Sequence, residues 1–152
     1  TLFPYTTLFR SLSFGTLSKI IRNLKTGIGS SYSILASNYQ YKSQKGNSVN
    51  PSQKMLTSWI QGVSVLRNIC AHNSRIYNRT INTTPEILSA DKITPKPTHN
   101  GLYQILLAMK YLRSSDEEWT IFVDDLDELI QNNKVNLSAM NFPSDWKTHL
   151  SI

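Results

Sequence analysis

Leu66-Arg67-Asn68-Ile69-Cys70-Ala71-His72-Asn73-Ser74-Arg75-Ile76-Tyr77-Asn78-Arg79 sets amides, an imidazole and three guanidinium groups against a strongly apolar run. Upstream, Asn50-Pro51 reads as a helix start, with Asn50 as N-cap and Pro51 at the first helical position, where its missing N–H costs nothing. From there Met55, Leu56, Trp59, Ile60, Val63, Leu66, Cys70 and Tyr77 recur at helical spacing and predict one buried stripe. A helix carried on to Tyr77 lines up Asn68, His72, Arg75 and Arg79 along another face, each within one turn of the next. Arg67 stays off that row. Five residues at ~100° each set it roughly 140° round the axis from His72, at the edge of the apolar stripe near Ile60. One chain therefore does not close Arg67 onto His72 without a bend or a second subunit.

The residue types point to phosphate chemistry. An imidazole ordinarily titrates near neutrality, so His72 can give or take a proton at physiological pH. A guanidinium presents a planar fork of donors that matches phosphate oxygens and stays charged. Histidine and arginine beside an RNA phosphodiester suffice for metal-independent cleavage, in which the ribose 2′-OH attacks the adjacent phosphate. His72 is then the general acid or base, Arg67 steadies charge on the phosphorane, and Asn68 orients the phosphate or His72. Arg75 and Arg79 read as phosphate-positioning groups. Two blander roles stay open: His72 as a group at the helix C-terminal turn, and Arg67 snorkelling from the edge of the core.

Arg67 and His72 stand at the R-x4-H spacing, which is that of the HEPN ribonuclease motif. The wider wording LRNICAHNSRIYNR resembles the signature of the Abi-like (abortive infection, AbiD/AbiF-type) bacterial proteins. Two further stretches are similar to that family: SFGTLS at 13–18 and the FP-x-x-W ending at 142–146. The resemblance implies an all-α, HEPN-like helical bundle of four to five helices with a long irregular loop. It implies a phage-defence, toxin-like endoribonuclease whose site is completed by dimerisation, with Arg67, His72 and Asn68 catalytic and Arg75 and Arg79 on RNA phosphate. Implied partners are an RNA substrate, a second copy of the chain and a protein or RNA antitoxin. The alternative from another class is a non-catalytic RNA-binding or regulatory helical protein in a defence or toxin–antitoxin system.

Composition agrees with a globular chain. Its 152 residues suffice for one domain with a real core, and 39% hydrophobic against 17% charged residues excludes a disordered chain. No apolar run reaches the length of a membrane helix, and no membrane partner is expected. Cys70, the single cysteine, excludes an internal disulfide and a cysteine-based zinc site and reads as a small core residue. No metal and no cofactor is expected. The bacterial cytoplasm is the natural compartment. Net charge is +6, yet seven of the ten acids crowd into thirteen positions, Asp116 to Glu128, leaving the rest of the chain strongly basic. Adjacent acids such as Asp124 and Asp125 face apart on a helix and make no metal site.

Residues 1–11, TLFPYTTLFRS, resemble the translation of a sequencing adapter fused to a coding fragment. On that expectation 12–152 is the C-terminal portion of a single Abi-like helical domain whose native N-terminal part is missing. Gly15 or Thr16 opens a helix with Leu17, Ile20, Ile21 and Leu24 on its apolar face, and Gly27 and Gly29 end the pattern. The stretch 30–41 is ambiguous between a short helix and a packed loop, and 40–50 reads as an exposed connector. Pro85, Pro95 and Pro97 forbid regular helix across 80–100. His99 or Asn100 opens a helix with Leu102, Ile105, Leu106, Met109 and Leu112 buried. A capping box at Ser115–Glu118 starts another, ended by 131–133. Ser144 caps a final short turn, and Trp146 docks on the bundle.

Overall fold

The computed structural model describes residues 14–92 and 101–152. Among them are six α-helices: α1 (Phe14–Arg22), α2 (Ser31–Ala36), α3 (Gln53–Ala71), α4 (Leu102–Leu112), α5 (Asp116–Asn132) and α6 (Trp146–Leu150). A two-stranded hairpin, β1 (Tyr41–Lys42) and β2 (Ser48–Val49), interrupts them, antiparallel with Tyr41 opposite Val49. The all-α bundle with loops is therefore the architecture. The adapter-like stretch 1–11 and the helix-opening pair His99 and Asn100 fall outside the described residues; Gly101 is the N-cap of α4.

The long helix starts later than the Asn50-Pro51 pair suggests. Ser52 is the N-cap, its side chain accepting from the Met55 N–H at 3.1 Å. Pro51 is instead a buried anchor, because its carbonyl accepts the Tyr32 hydroxyl at 2.7 Å. Burial raises the Tyr32 pKa to about 12, so the hydroxyl stays a donor. Gln53 then closes the end of α1, its side-chain amide donating to Ile21 and Leu24 carbonyls at 2.8 and 2.9 Å. These four residues clamp α1, α2 and α3 together over Ile21, Leu56, Trp59 and Ile60.

Mid-helix Gly62 has a packing reason. A Cβ there would lie 2.6 Å from Cγ of Pro85, so glycine lets the connection after α3 cross the helix in contact. Two hydrogen bonds hold that crossing: Trp59 Nε1 donates to the Glu86 carbonyl at 2.7 Å, and the Glu86 N–H donates to Ser58 Oγ at 3.0 Å. The connection is irregular apart from a single 3-10 turn at Ser89–Asp91 within its described part.

α4 is the innermost helix, with Tyr103, Ile105, Leu106, Leu107 and Ala108 all buried. It packs on α3 from one side and on the C-terminal segment from the other, where Trp119, Val123, Phe142, Trp146 and Leu150 close a second cluster. Ser115 caps α5 as expected, accepting from the Glu118 N–H at 3.2 Å. Trp146 docks on the bundle, edge-on to Phe142. The N-cap of α6 is Asp145 rather than Ser144, and its side chain makes no capping bond.

Candidate active site at the end of the long helix

α3 stops at Ala71, six residues short of the Tyr77 limit that its apolar spacing suggests. His72 is the C-cap and Asn73 takes a left-handed conformation, φ 49°. The Ser74 N–H then reaches back to the Ile69 carbonyl and the Asn73 N–H to the Cys70 carbonyl, both at 3.0 Å. That pair of bonds is a Schellman closure, with asparagine in the position that tolerates positive φ. After the turn, Ile76 and Ile81 pack together with Ile69 and Ile105.

The helix face and the early stop together move the predicted groups. Cys70 and Tyr77 leave the expected core stripe and are exposed; Ile69 takes the buried place on the last turn. Asn68, His72, Arg75 and Arg79 do not form one helical row, since the last two sit on the turn that follows. In that turn Asn78 is again left-handed, φ 50°, and Arg79 Nη1 donates to the Arg75 carbonyl at 3.4 Å.

All five named side chains, Arg67, Asn68, His72, Arg75 and Arg79, are exposed to solvent. Asn68 joins two of them. Its Oδ1 accepts from Arg67 Nη1 at 3.3 Å, while its backbone carbonyl accepts the His72 N–H at 3.1 Å. The amide thus touches the guanidinium through its side chain and holds the imidazole only through the main chain. No hydrogen bond joins Arg67 to His72 among the described residues. Within one chain the structure brings together Arg67 with Asn68, and Arg75 with Arg79, but not the two halves of R-x4-H.

The electrostatic setting is unusually one-sided. Residues 1–85 contain no aspartate or glutamate; the first acid is Glu86, which pairs with Lys54 at 2.5 Å. The later acids are partly occupied by their own cations. Lys147 bridges Asp124 and Asp127 at 3.0 and 2.7 Å, and Arg113 pairs with Asp116 at 2.6 Å. No group of three or more His, Cys, Asp or Glu side chains converges as a metal site among the described residues. Nothing acidic in the sequence near Arg67, His72, Arg75 and Arg79 therefore competes with a phosphate for them. Sequence reasoning missed Asn73, whose signal was an asparagine just beyond the last helical residue. It also missed Asp91, buried and accepting the Tyr111 hydroxyl at 2.5 Å, which braces Tyr111 where it stacks on Trp59.

The family described as Abi-like protein covers residues 1–78, just over half of the 152-residue chain. The span takes in all of α3 with Arg67, Asn68, His72 and Arg75, and stops one residue before Arg79. No curated protein and no solved structure matches. Among the described residues no helix is long and apolar enough to cross a membrane.

Proposed function

The chain belongs to the Abi-like family, and from that premise we propose that it is a metal-independent endoribonuclease. Membership supports a role in abortive infection, a defence against phage. In the proposed reaction the ribose 2′-oxygen attacks the adjacent phosphorus and gives its proton to an imidazole. The bond from phosphorus to the 5′-oxygen breaks, and that oxygen leaves with a proton returned by an imidazole. The products are a 2′,3′-cyclic phosphate and a 5′-hydroxyl. His72 supplies the imidazole, Arg67 stabilises the charge on the pentacoordinate phosphorus, and Asn68 aims Arg67. Arg75 and Arg79 hold flanking phosphates.

One observation carries this reading: Arg67, Asn68 and His72 are all solvent-exposed at one helix end, inside a stretch of sequence with no acid. A guanidinium and an imidazole sealed in the core would have ended it. Because a single chain leaves the two unjoined, the site is assembled by a homodimer. That same separation favours the second reading, a non-catalytic RNA-binding or regulatory protein in which the arginines hold RNA and His72 does no chemistry. Under either reading the partners are RNA, a second copy and a protein or RNA antitoxin, and the setting is the bacterial cytoplasm.

Incubating total RNA with the protein in EDTA separates the two. The enzyme reading expects cleavage with cyclic phosphate ends, a bell-shaped pH–rate profile, and loss of cleavage by about 100-fold or more in His72→Ala with RNA binding retained. Equal binding and no cleavage by either protein would establish the binding module instead.

A further inference from the structure

We propose that the cleft beneath the β1–β2 hairpin binds a nucleoside phosphate, either free or as one residue of an RNA strand. Sequence patterning makes 40–50 a mere connector, but the structure turns it into a wall. Gly46, at φ +77°, permits the tight reversal in which its N–H donates to the Ser43 carbonyl at 2.8 Å, and the Ser43 N–H donates to Asn47 at 2.9 Å. Between this reversal and residues 87–90 lies a cleft of about 380 Å³, lined also by Met55. That size falls within the range of roughly 300–1,000 Å³ common to small-ligand sites.

Its lining is chemically two-sided. Lys42 and Lys45 supply cationic charge, with Ser43, Gln44 and Ser89 as further polar groups, and no acid lines the cleft. Tyr41, beside Lys42 on the same strand, and the apolar side chains of Met55, Ile87 and Leu88 also line it. Tyr41 is not a loose surface ring. Trp59 and Tyr111 pack against it at near right angles with centroids 6.4 and 6.2 Å away, so part of the cost of ordering the ring is already met. A bare inorganic anion would leave the apolar wall unused, and an acyl chain would leave the lysines unused. A flat base on a phosphorylated sugar uses both.

For the strand source, which rests on the ribonuclease reading above, the cleft is a remote anchor. From Met55 to His72 the helix rises roughly 25 Å, which is about seven stacked nucleotides at ~3.4 Å each. The free-nucleotide source sets no such length.

The test uses the His72→Ala protein, so that RNA stays intact and the outcome does not depend on catalysis. Probes are methylanthraniloyl-ADP and a fluorescein-labelled oligouridylate, followed by fluorescence anisotropy. Removing both lysines (Lys42→Ala with Lys45→Ala) is expected to weaken binding about tenfold, and Ser89→Trp, which fills the cleft without changing charge, should weaken it similarly. Lys19→Ala with Lys25→Ala removes the same charge elsewhere and should cost much less. Lys42 and Lys45 are exposed, so folding is preserved, and a thermal melt checks it. Binding of ADP and competition by unlabelled ADP identify a free nucleotide; binding of the oligonucleotide alone identifies a strand. Binding of neither probe overturns the proposal. So do equal losses in the two lysine pairs, full binding by Ser89→Trp, or displacement by tripolyphosphate as effective as by ADP.

Discussion

Replacing Gly62 with alanine in the middle of α3 should destabilise the protein, against the usual direction of that substitution. In an exposed helix interior alanine gains about 1 kcal/mol over glycine. Here the new Cβ would lie 2.6 Å from Pro85 Cγ and 3.3 Å from Cδ, with Ile105 Cγ1 at an ordinary 3.7 Å. Pro85 is a ring, not the tip of a flexible side chain. It also cannot slide freely, because Glu86 next to it is bound to α3 through both its N–H and its carbonyl. Overpacking of this kind costs about 1–3 kcal/mol, and weakening either Glu86 bond adds about 1 kcal/mol. After the propensity gain, Gly62→Ala should lose about 1–3 kcal/mol, a fall in Tm of roughly 3–9 °C at this chain length. Differential scanning calorimetry reads this directly. In a Pro85→Ala background the obstruction is gone, so the same substitution should turn neutral or stabilising, and the cycle should show strong coupling. A higher Tm for Gly62→Ala in the wild-type background would refute the crossing as the reason for the glycine.

Asn73→Gly should leave stability unchanged or raise it, because glycine adopts φ 49° freely, whereas Asn73→Val should cost about 1–2 kcal/mol and displace the Arg75 turn. Urea unfolding midpoints measure the first effect and RNA affinity the second. The clasp between α5 and α6 should be sensitive to acid. Hydrogen bonding from Lys147 holds the Asp127 carboxyl below its ordinary 3.8, so its stabilisation is complete above that pH and is lost as pH falls through the depressed value. Asp127→Asn should therefore melt below wild type at neutral pH, and the gap should close in strong acid. The same contact raises Lys147 above 10.5, which keeps the clasp charged until strongly alkaline pH.

Helix α5 was legible because its signals are local: Ser115 as cap, acids in the first turn and an apolar period from Trp119 to Ile130. Trp146 was legible for a different reason, since a large aromatic after a proline turn has few places to go but the core. The start of α3 was not, because what decides it is the Tyr32 hydroxyl on Pro51, a partner nineteen residues away in sequence. The end of α3 misled through Tyr77, which happens to keep the helical period while the true instruction, asparagine at Asn73, needs only one residue to act. Exposure of Arg67 and His72 was left open by a sequence that sets Arg67 at the edge of the apolar stripe. The placement of Arg75 and Arg79 was not legible, because it depends on Ile76 and Ile81 turning back to Ile105, a residue on another helix.

The separation of Arg67 from His72 can itself be made to report on assembly. His72 has left the helix as its C-cap, Asn68 holds it by the main chain alone, and no hydrogen bond joins its imidazole to Arg67 among the described residues. If two copies meet about a twofold axis, each site takes its guanidinium from one chain and its imidazole from the other. Arg67→Ala and His72→Ala are then each inactive alone but complementary when mixed. After subunit exchange about half of the dimers are hybrid, and each hybrid has one intact site of two, so activity should return to about a quarter of wild type. A site closed within a single chain gives no recovery at any mixing ratio, because every chain in the mixture lacks one of the two groups. The comparison needs only RNA cleavage and a native mass spectrum of the exchanged dimers. Hybrid dimers present with no recovered cleavage would rule out the shared site while leaving the dimer intact.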